Sequence, residues 1–229
     1  MNKGKPEKEL EYIFFARSYL IMATLGNEKV LDKMMKTKRF NNPLDLKLVT
    51  PDWTWENNYL LAPIIYNIKH AIEIFLKGIT RLLGSDFKEH HDLKILFKDI
   101  EKKIDKKPII KDLERLKKLI NEYYRNDFLK NKVNTDFEIE DKLNDMFRYP
   151  DNKAKILLDF FYIFPRFEIK DLERIKKNIK EFNNLFYEIG KEILIGEIGL
   201  PSSRIETEIA EYQIRQNINK NEKQKTIKN

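Results

Sequence analysis

The stretch NIKHAIEIFLKGITRLLG, Asn67 to Gly84, carries a histidine, a glutamate and a lysine inside a run of apolar residues. On a helix with 100° between residues, His70, Glu73 and Lys77 fall on one narrow stripe, while isoleucine, leucine and phenylalanine take the other faces. A helix that is apolar around most of its circumference is expected to pack among other helices. The stretch therefore predicts a core helix of an all-α bundle with a single polar line along it.

Two interpretations of the polar line follow from its residues. Tyr66 and Arg81 extend the stripe at its two ends, and Glu73 and Lys77 form an i,i+4 pair in the favourable order. The line is either a solvated surface stripe or a polar seam that faces a cleft between subunits. The sequence leaves both open.

Helical periodicity recurs along most of the chain. Glycine and proline are taken as the helix ends, with Gly26 closing the first helix, Gly84 and Ser85 closing the long one, and Pro108 breaking a later one. The loop before the long helix holds both tryptophans, which are predicted to anchor it to the core. The predicted helices cover residues 6–26, 27–40, 55–83, 90–105, 109–129, a short segment ending at 150, and 170–194.

The last long helix has apolar residues at alternating steps of three and four, which is a heptad-like seam. Such a seam needs a neighbour, either within the bundle or across a dimer interface. The seam consists of Leu172, Ile175, Ile179, Phe182, Phe186, Ile189 and Ile193.

Composition limits the class of protein. The chain has 229 residues, a formal net charge of +7, 41% hydrophobic and 35% charged residues, and no cysteine, which excludes disulfides, thiolate metal sites and cysteine nucleophiles. The longest apolar runs fall short of the roughly 20 residues of a bilayer span, and the N-terminus lacks an apolar signal core. We expect a cytoplasmic protein without a membrane segment, with one domain over residues 1–212 (core about 56–195) and a basic, disordered tail over 213–229.

Three short motifs resemble the HEPN superfamily of helical-bundle proteins. They are the H-A-x-E-x-x-L-K helix at residues 70–77, the H-D-L-x-x-L start of the next helix at 91–96, and the R-Y-P tripeptide at 148–150. They occur in the order typical of one bacterial and archaeal branch. The resemblance covers about residues 56–150 and implies a HEPN-like bundle with additional N- and C-terminal helices.

The resemblance also implies partners and an activity. HEPN proteins are usually homodimers, many are ribonucleases of toxin–antitoxin or defence systems, and some act with a nucleotidyltransferase. Their ribonuclease signature is an arginine and a later histidine separated by four to six residues, and the reaction needs no metal. Here Arg148 is the matching arginine, but no histidine follows His91, so the signature is absent.

We therefore predict a prokaryotic defence or toxin–antitoxin-type protein that binds RNA or an RNA-associated partner and lacks the usual ribonuclease activity. Two alternatives stay open: an inert protein–protein interaction module, and a metal-independent ribonuclease in which His70, Glu73 and Arg148 converge. No cofactor or metal is expected, and the expected partners are a second copy, RNA, and an antitoxin or nucleotidyltransferase. The candidate RNA-binding residues are Lys77, Arg81, Lys153 and Lys155.

Overall fold

Five α-helices of at least nine residues account for most of the described structure. A computed structural model describes residues 6–39, 52–85, 91–104, 107–125, 167–196, 199, 201–203 and 206–207, and these residues contain no strand. This confirms the all-α prediction. The helices are α1 (Pro6–Arg39), α2 (Asp52–Leu82), α3 (Leu93–Glu101), α4 (Lys107–Tyr124) and α5 (Ile169–Gly196).

The first helix is longer than predicted. Gly26 does not end it, because α1 continues to Arg39 as one helix of 34 residues. A Cβ atom built on Gly26 would lie 2.8 Å from Cγ1 of Ile64 on α2. The glycine therefore serves close helix packing, a role that local sequence does not distinguish from a helix end.

Replacement of Gly26 with alanine is expected to destabilise the fold by about 1–2 kcal/mol, because overpacking against Ile64 costs roughly 1–3 kcal/mol and helix propensity returns up to about 1. Urea unfolding measures the loss. Gly190→Ala is the matched control: its Cβ would meet the terminal Cδ1 of Ile13 at 2.8 Å, and this flexible atom can move away. An equal or larger loss in the control would contradict the proposed reason.

The predicted end of α2 is confirmed, whereas its predicted start and the predicted break at Pro108 are wrong. Gly84 adopts a positive φ of 71°, and its N–H and that of Ser85 bond back to the carbonyls of Arg81 and Thr80, which forms a Schellman end for α2. The start of α2 at Asp52, however, places both tryptophans on the helix instead of in a loop. Pro108 is the second residue of α4, a first-turn position that proline tolerates, so it begins a helix instead of breaking one.

The seam of α5 finds its neighbours within the same chain. All seven of its apolar residues are at most 4% exposed, and α5 packs against α1, α4 and α2. Phe186 stacks on Phe75 of α2 with ring centroids 4.0 Å apart, and Phe182 meets Tyr123 of α4 edge-on at 5.5 Å. Burial raises the pKa of Tyr123, and the charge of Glu122 raises it further.

Paired contacts give the helix directions. Tyr19 packs on His70 and Tyr12 on Arg81, so α1 and α2 are antiparallel. Gly190 of α5 approaches Ile13 of α1, whereas Asn27 of α1 donates to the carbonyl of Leu172 at 3.1 Å, so these two helices are antiparallel as well. Helix α3 packs between α2 and α4. In the described part of the chain, no helix has an apolar stretch long enough to cross a membrane.

Several predictions concern residues outside the described ranges and stay predictions. They are the short helix ending at 150, the tail 213–229, and the site residues Arg148, Lys153 and Lys155.

Candidate functional site

The polar line of α2 is centred on a buried carboxylate. Glu73 is 2% exposed, and its Oε1 accepts hydrogen bonds from Nζ of Lys77 at 2.7 Å and, in the tautomer with a proton on Nδ1, from Nδ1 of His91 at 2.8 Å. Burial of a carboxylate costs free energy unless the group is paired and hydrogen-bonded. Here one partner, Lys77, lies on α2 and the other, His91, lies just before α3. Glu73 therefore joins α2 to the start of α3.

The start of α3 positions His91. Asp92 caps the helix, since its Oδ1 accepts hydrogen bonds from the backbone N–H groups of Lys94 at 2.9 Å and Ile95 at 3.2 Å. From sequence, His91 and Asp92 together are predicted to cap this helix, because an acidic residue is favoured near a helix N-terminus. The structure confirms Asp92 as the cap, whereas the ring of His91, the residue before it, hydrogen-bonds to Glu73.

His70 occupies an aromatic slot one turn before Glu73. Its ring stacks on Tyr66 with centroids 5.3 Å apart and an angle of 14°, and Tyr19 of α1 meets it edge-on at 4.6 Å. Nδ1 of His70 lies 3.9 Å from Oε2 of Glu73, which is too far for a hydrogen bond. That buried Nδ1 atom has no hydrogen-bond partner among the described residues, although 19% of the side chain is exposed.

The surface-stripe interpretation is wrong for the middle of the line. Tyr19 and His91 cover His70 and Glu73, and the side chain of Lys77 is only 14% exposed. Arg81, at the end of the line, is exposed and lies 5.0 Å above the ring of Tyr12. The line therefore leads from a buried ionic centre to an exposed guanidinium.

Sequence reasoning missed two residues of this region. Lys69 is 1% exposed, although it follows Ile68 within an apolar run that offers little room for a charge. A lysine on the apolar side of the helix was the signal that the sequence offered. Tyr19 was missed because nothing in the sequence pairs it with a histidine fifty-one positions away.

The side chains of this centre are of types that can hold charge and transfer a proton. A carboxylate held by an ammonium group and an imidazole is suited to fixing charge, and a second imidazole with an unengaged nitrogen is suited to proton transfer. Within the described ranges, no group of three or more His, Cys, Asp or Glu side chains could hold a metal ion. Arg148 lies outside the described residues, so its convergence with His70 stays a prediction.

Comparison with known families gives one match. Residues 56–189 match the model of the HEPN domain, a region that contains α3, α4 and most of α2 and α5, together with every site residue predicted from sequence. Tyr19 of α1 lies outside it. No curated protein and no solved structure matches the chain.

Proposed function

The chain belongs to the HEPN family, and on that premise we propose that it serves a prokaryotic defence or toxin–antitoxin-type system by binding RNA or an RNA-associated partner, without the ribonuclease activity usual in the family. The observation that carries the proposal is the replacement of the signature histidine. Lys153, Ala154 and Lys155 stand where a histidine would follow Arg148. Such a chain keeps basic groups for phosphate contact and lacks the expected proton-transfer group.

The charge distribution supports an RNA-binding role. The net charge is +7. Lys117, Lys170 and Lys176 are paired with carboxylates, but Lys111, Lys118 and Lys177 are exposed and make no ion pair with another described residue. Lys111 and Lys118 are seven residues apart on α4 and share one side of that helix; Lys177 is exposed on the adjacent α5. Arg81 adds an exposed cation at the end of the polar line. Lys77 contributes less net charge, because its ammonium group is already paired with Glu73.

Fluorescence anisotropy of the full chain with labelled tRNA over a potassium chloride series tests this proposal. Binding through phosphate contacts should give log K that falls linearly with log salt, and the variant Lys111→Ala/Lys118→Ala should reduce the steepness by about 1–2 units. Asn184→Ala is a matched control, because Asn184 is exposed on α5 and uncharged. An absence of RNA binding, with salt-insensitive capture of a protein partner instead, would favour the interaction-module alternative.

One observation favours a second candidate, a metal-independent ribonuclease. The side chain of His70 is 19% exposed, its Nδ1 has no hydrogen-bond partner among the described residues, and Tyr19 and Tyr66 hold the imidazole ring in place. A histidine so placed could accept the proton of a ribose 2′-hydroxyl as its oxygen attacks the adjacent phosphorus, while Arg148 stabilises the phosphorane charge. The bond from phosphorus to the 5′-oxygen would then break, and the leaving 5′-oxygen would take a proton from solvent. His91 is less suited to this role, because Nδ1 of its ring is already bonded to Glu73.

Incubation of the protein with total RNA and tRNA in EDTA separates the two candidates. The leading proposal predicts no cleavage by a folded wild-type chain. Metal-independent cleavage that is lost in both His70→Ala and Arg148→Ala would replace it with the ribonuclease. Cleavage retained in both variants would reject these catalytic residues.

A further inference from the structure

Helix α1 has a second apolar face that no described residue covers. Its first face packs on α2 and α5, whereas five of the seven large hydrophobic residues that are exposed in the described structure lie elsewhere on the same helix. Isolated exposed apolar residues are ordinary, as with Ile95 and Ile110, but a contiguous set marks an interaction surface. The five are Phe15 (58% exposed), Ile21 (43%), Met22 (58%), Leu25 (52%) and Met35 (41%).

Part of this face forms a regular stripe. Six residues follow one another at steps of four, three, four, three and four, which is the spacing of a coiled-coil seam. All are exposed except Ser18, which is half-buried. We call them the α1 stripe: Glu11, Phe15, Ser18, Met22, Leu25 and Lys29.

The α1 stripe is complementary to itself in an antiparallel arrangement. Two copies of α1 can be placed antiparallel with a two-fold axis at the level of residue 20. Each residue then faces the residue of the second copy for which the two residue numbers add up to 40. Glu11 then faces Lys29 of the second copy, and Phe15 faces Leu25 of the second copy. Ser18, a small residue, faces Met22 near the axis, where the helices must approach most closely. The same surface on both partners is what a two-fold interface requires.

We propose that the α1 stripe is the interface of a homodimer, in which α1 pairs antiparallel with α1 of a second copy. Neither Glu11 nor Lys29 makes an ion pair with a described residue of its own chain, so both are available for this pairing. The stripe spans nineteen residues from Glu11 to Lys29, and the two ends are about 27 Å apart along the helix. It precedes the region that matches the HEPN domain, so the interface belongs to the additional N-terminal helix of this chain.

The interface also reaches the candidate site. Phe15 of the stripe packs edge-on against Tyr19 at 5.4 Å, and Tyr19 packs against His70. Dimerisation along the stripe would therefore cover the outer side of the aromatic slot that holds His70. The inference goes beyond RNA binding and does not depend on it.

Light scattering coupled to gel filtration tests the proposal on the full chain, with circular dichroism to verify folding. The wild-type chain should have about twice the monomer mass of 27.6 kDa. Met22→Lys places two like charges beside the axis and should raise the dimer dissociation constant on the order of 100-fold. Ile95→Lys and Ile110→Lys introduce the same charge at exposed isoleucines of α3 and α4 and should leave the dimer intact.

Charge exchange tests the register. Glu11→Lys and Lys29→Glu should each weaken the dimer, because each creates a like-charge pair, and the double variant Glu11→Lys/Lys29→Glu should restore it. The natural absence of cysteine allows a second test. Phe15→Cys/Leu25→Cys should form interchain disulfides on mild oxidation, whereas neither single variant should do so, because its cysteines would lie about ten residues apart along the pair.

Each result decides the proposal. A monomeric wild-type chain at the highest soluble concentration would overturn it and would indicate that another segment of the chain covers the stripe. A dimer that survives Met22→Lys, or disulfides that form equally well in the single cysteine variants, would also overturn it. Rescue in the charge-exchanged double variant is the outcome that a merely unfolded single variant could not produce.

Discussion

Replacement of Glu73 with alanine is expected to destabilise the fold by about 3–4 kcal/mol. The change leaves the ammonium group of Lys77, only 14% exposed, without its carboxylate, and it removes the acceptor for His91. Loss of one partner from a buried ion pair costs roughly 3–5 kcal/mol, since the remaining charge keeps its desolvation penalty. We expect a loss in the lower half of this range, because the side chain of Lys77 can extend its ammonium group toward water. Urea unfolding at neutral pH measures it.

Two further variants separate charge from shape. Glu73→Gln keeps an acceptor oxygen for both partners and should cost about half as much as the alanine change. Glu73→Ala/Lys77→Met removes both charges and should recover much of the lost stability, so the double-mutant cycle should give a coupling above about 1 kcal/mol. A coupling near zero would contradict the ion-pair explanation. A loss below about 1 kcal/mol for Glu73→Ala would show that the hydrogen bonds of Glu73 to Lys77 and His91 contribute little to the stability of the fold.

The candidate site could be predicted from sequence only along its own helix. Helical periodicity places His70, Glu73 and Lys77 on one line, because 3.6 residues per turn is a local property. The same reasoning cannot reveal which neighbour covers that line. Tyr19 comes from the preceding helix and His91 from the turn before the next one, so burial of Glu73 is decided by tertiary packing.

The helix boundaries were predictable for the same local reasons. Their prediction failed where one residue type serves two structural roles. Asp92 caps α3 and Gly84 ends α2 because capping depends on the backbone within one turn. Glycine is common at helix ends, but Gly26 lies inside α1 and allows close packing against Ile64. Proline breaks a helix in its interior but is tolerated in the first turn, where Pro108 lies. The two cases can be told apart only when the start of the helix is known.

The packing of α5 gives the other large expected effect. Replacement of Phe186 with alanine should destabilise the fold by about 4 kcal/mol, because Phe186 is fully buried, stacks on Phe75 at 4.0 Å and contacts Phe182 at 5.9 Å. Truncation of a buried phenylalanine costs roughly 3–5 kcal/mol through lost transfer free energy and the cavity left behind. Since whole domains are stable by only about 5–15 kcal/mol, a chain at the lower end of that range would be partly unfolded by this change alone.

Phe186→Leu is the matched control, because leucine fills most of the space and removes the ring stacking. We expect it to cost less than half as much as the alanine change, and thermal unfolding of all three chains at one protein concentration gives the comparison. Equal losses for leucine and alanine would show that the aromatic contact with Phe75, and not the filled volume, holds α5 against α2. A loss below about 1.5 kcal/mol for alanine would mean that neighbouring side chains collapse into the cavity, and that the contact between α2 and α5 rests on other residues of the seam.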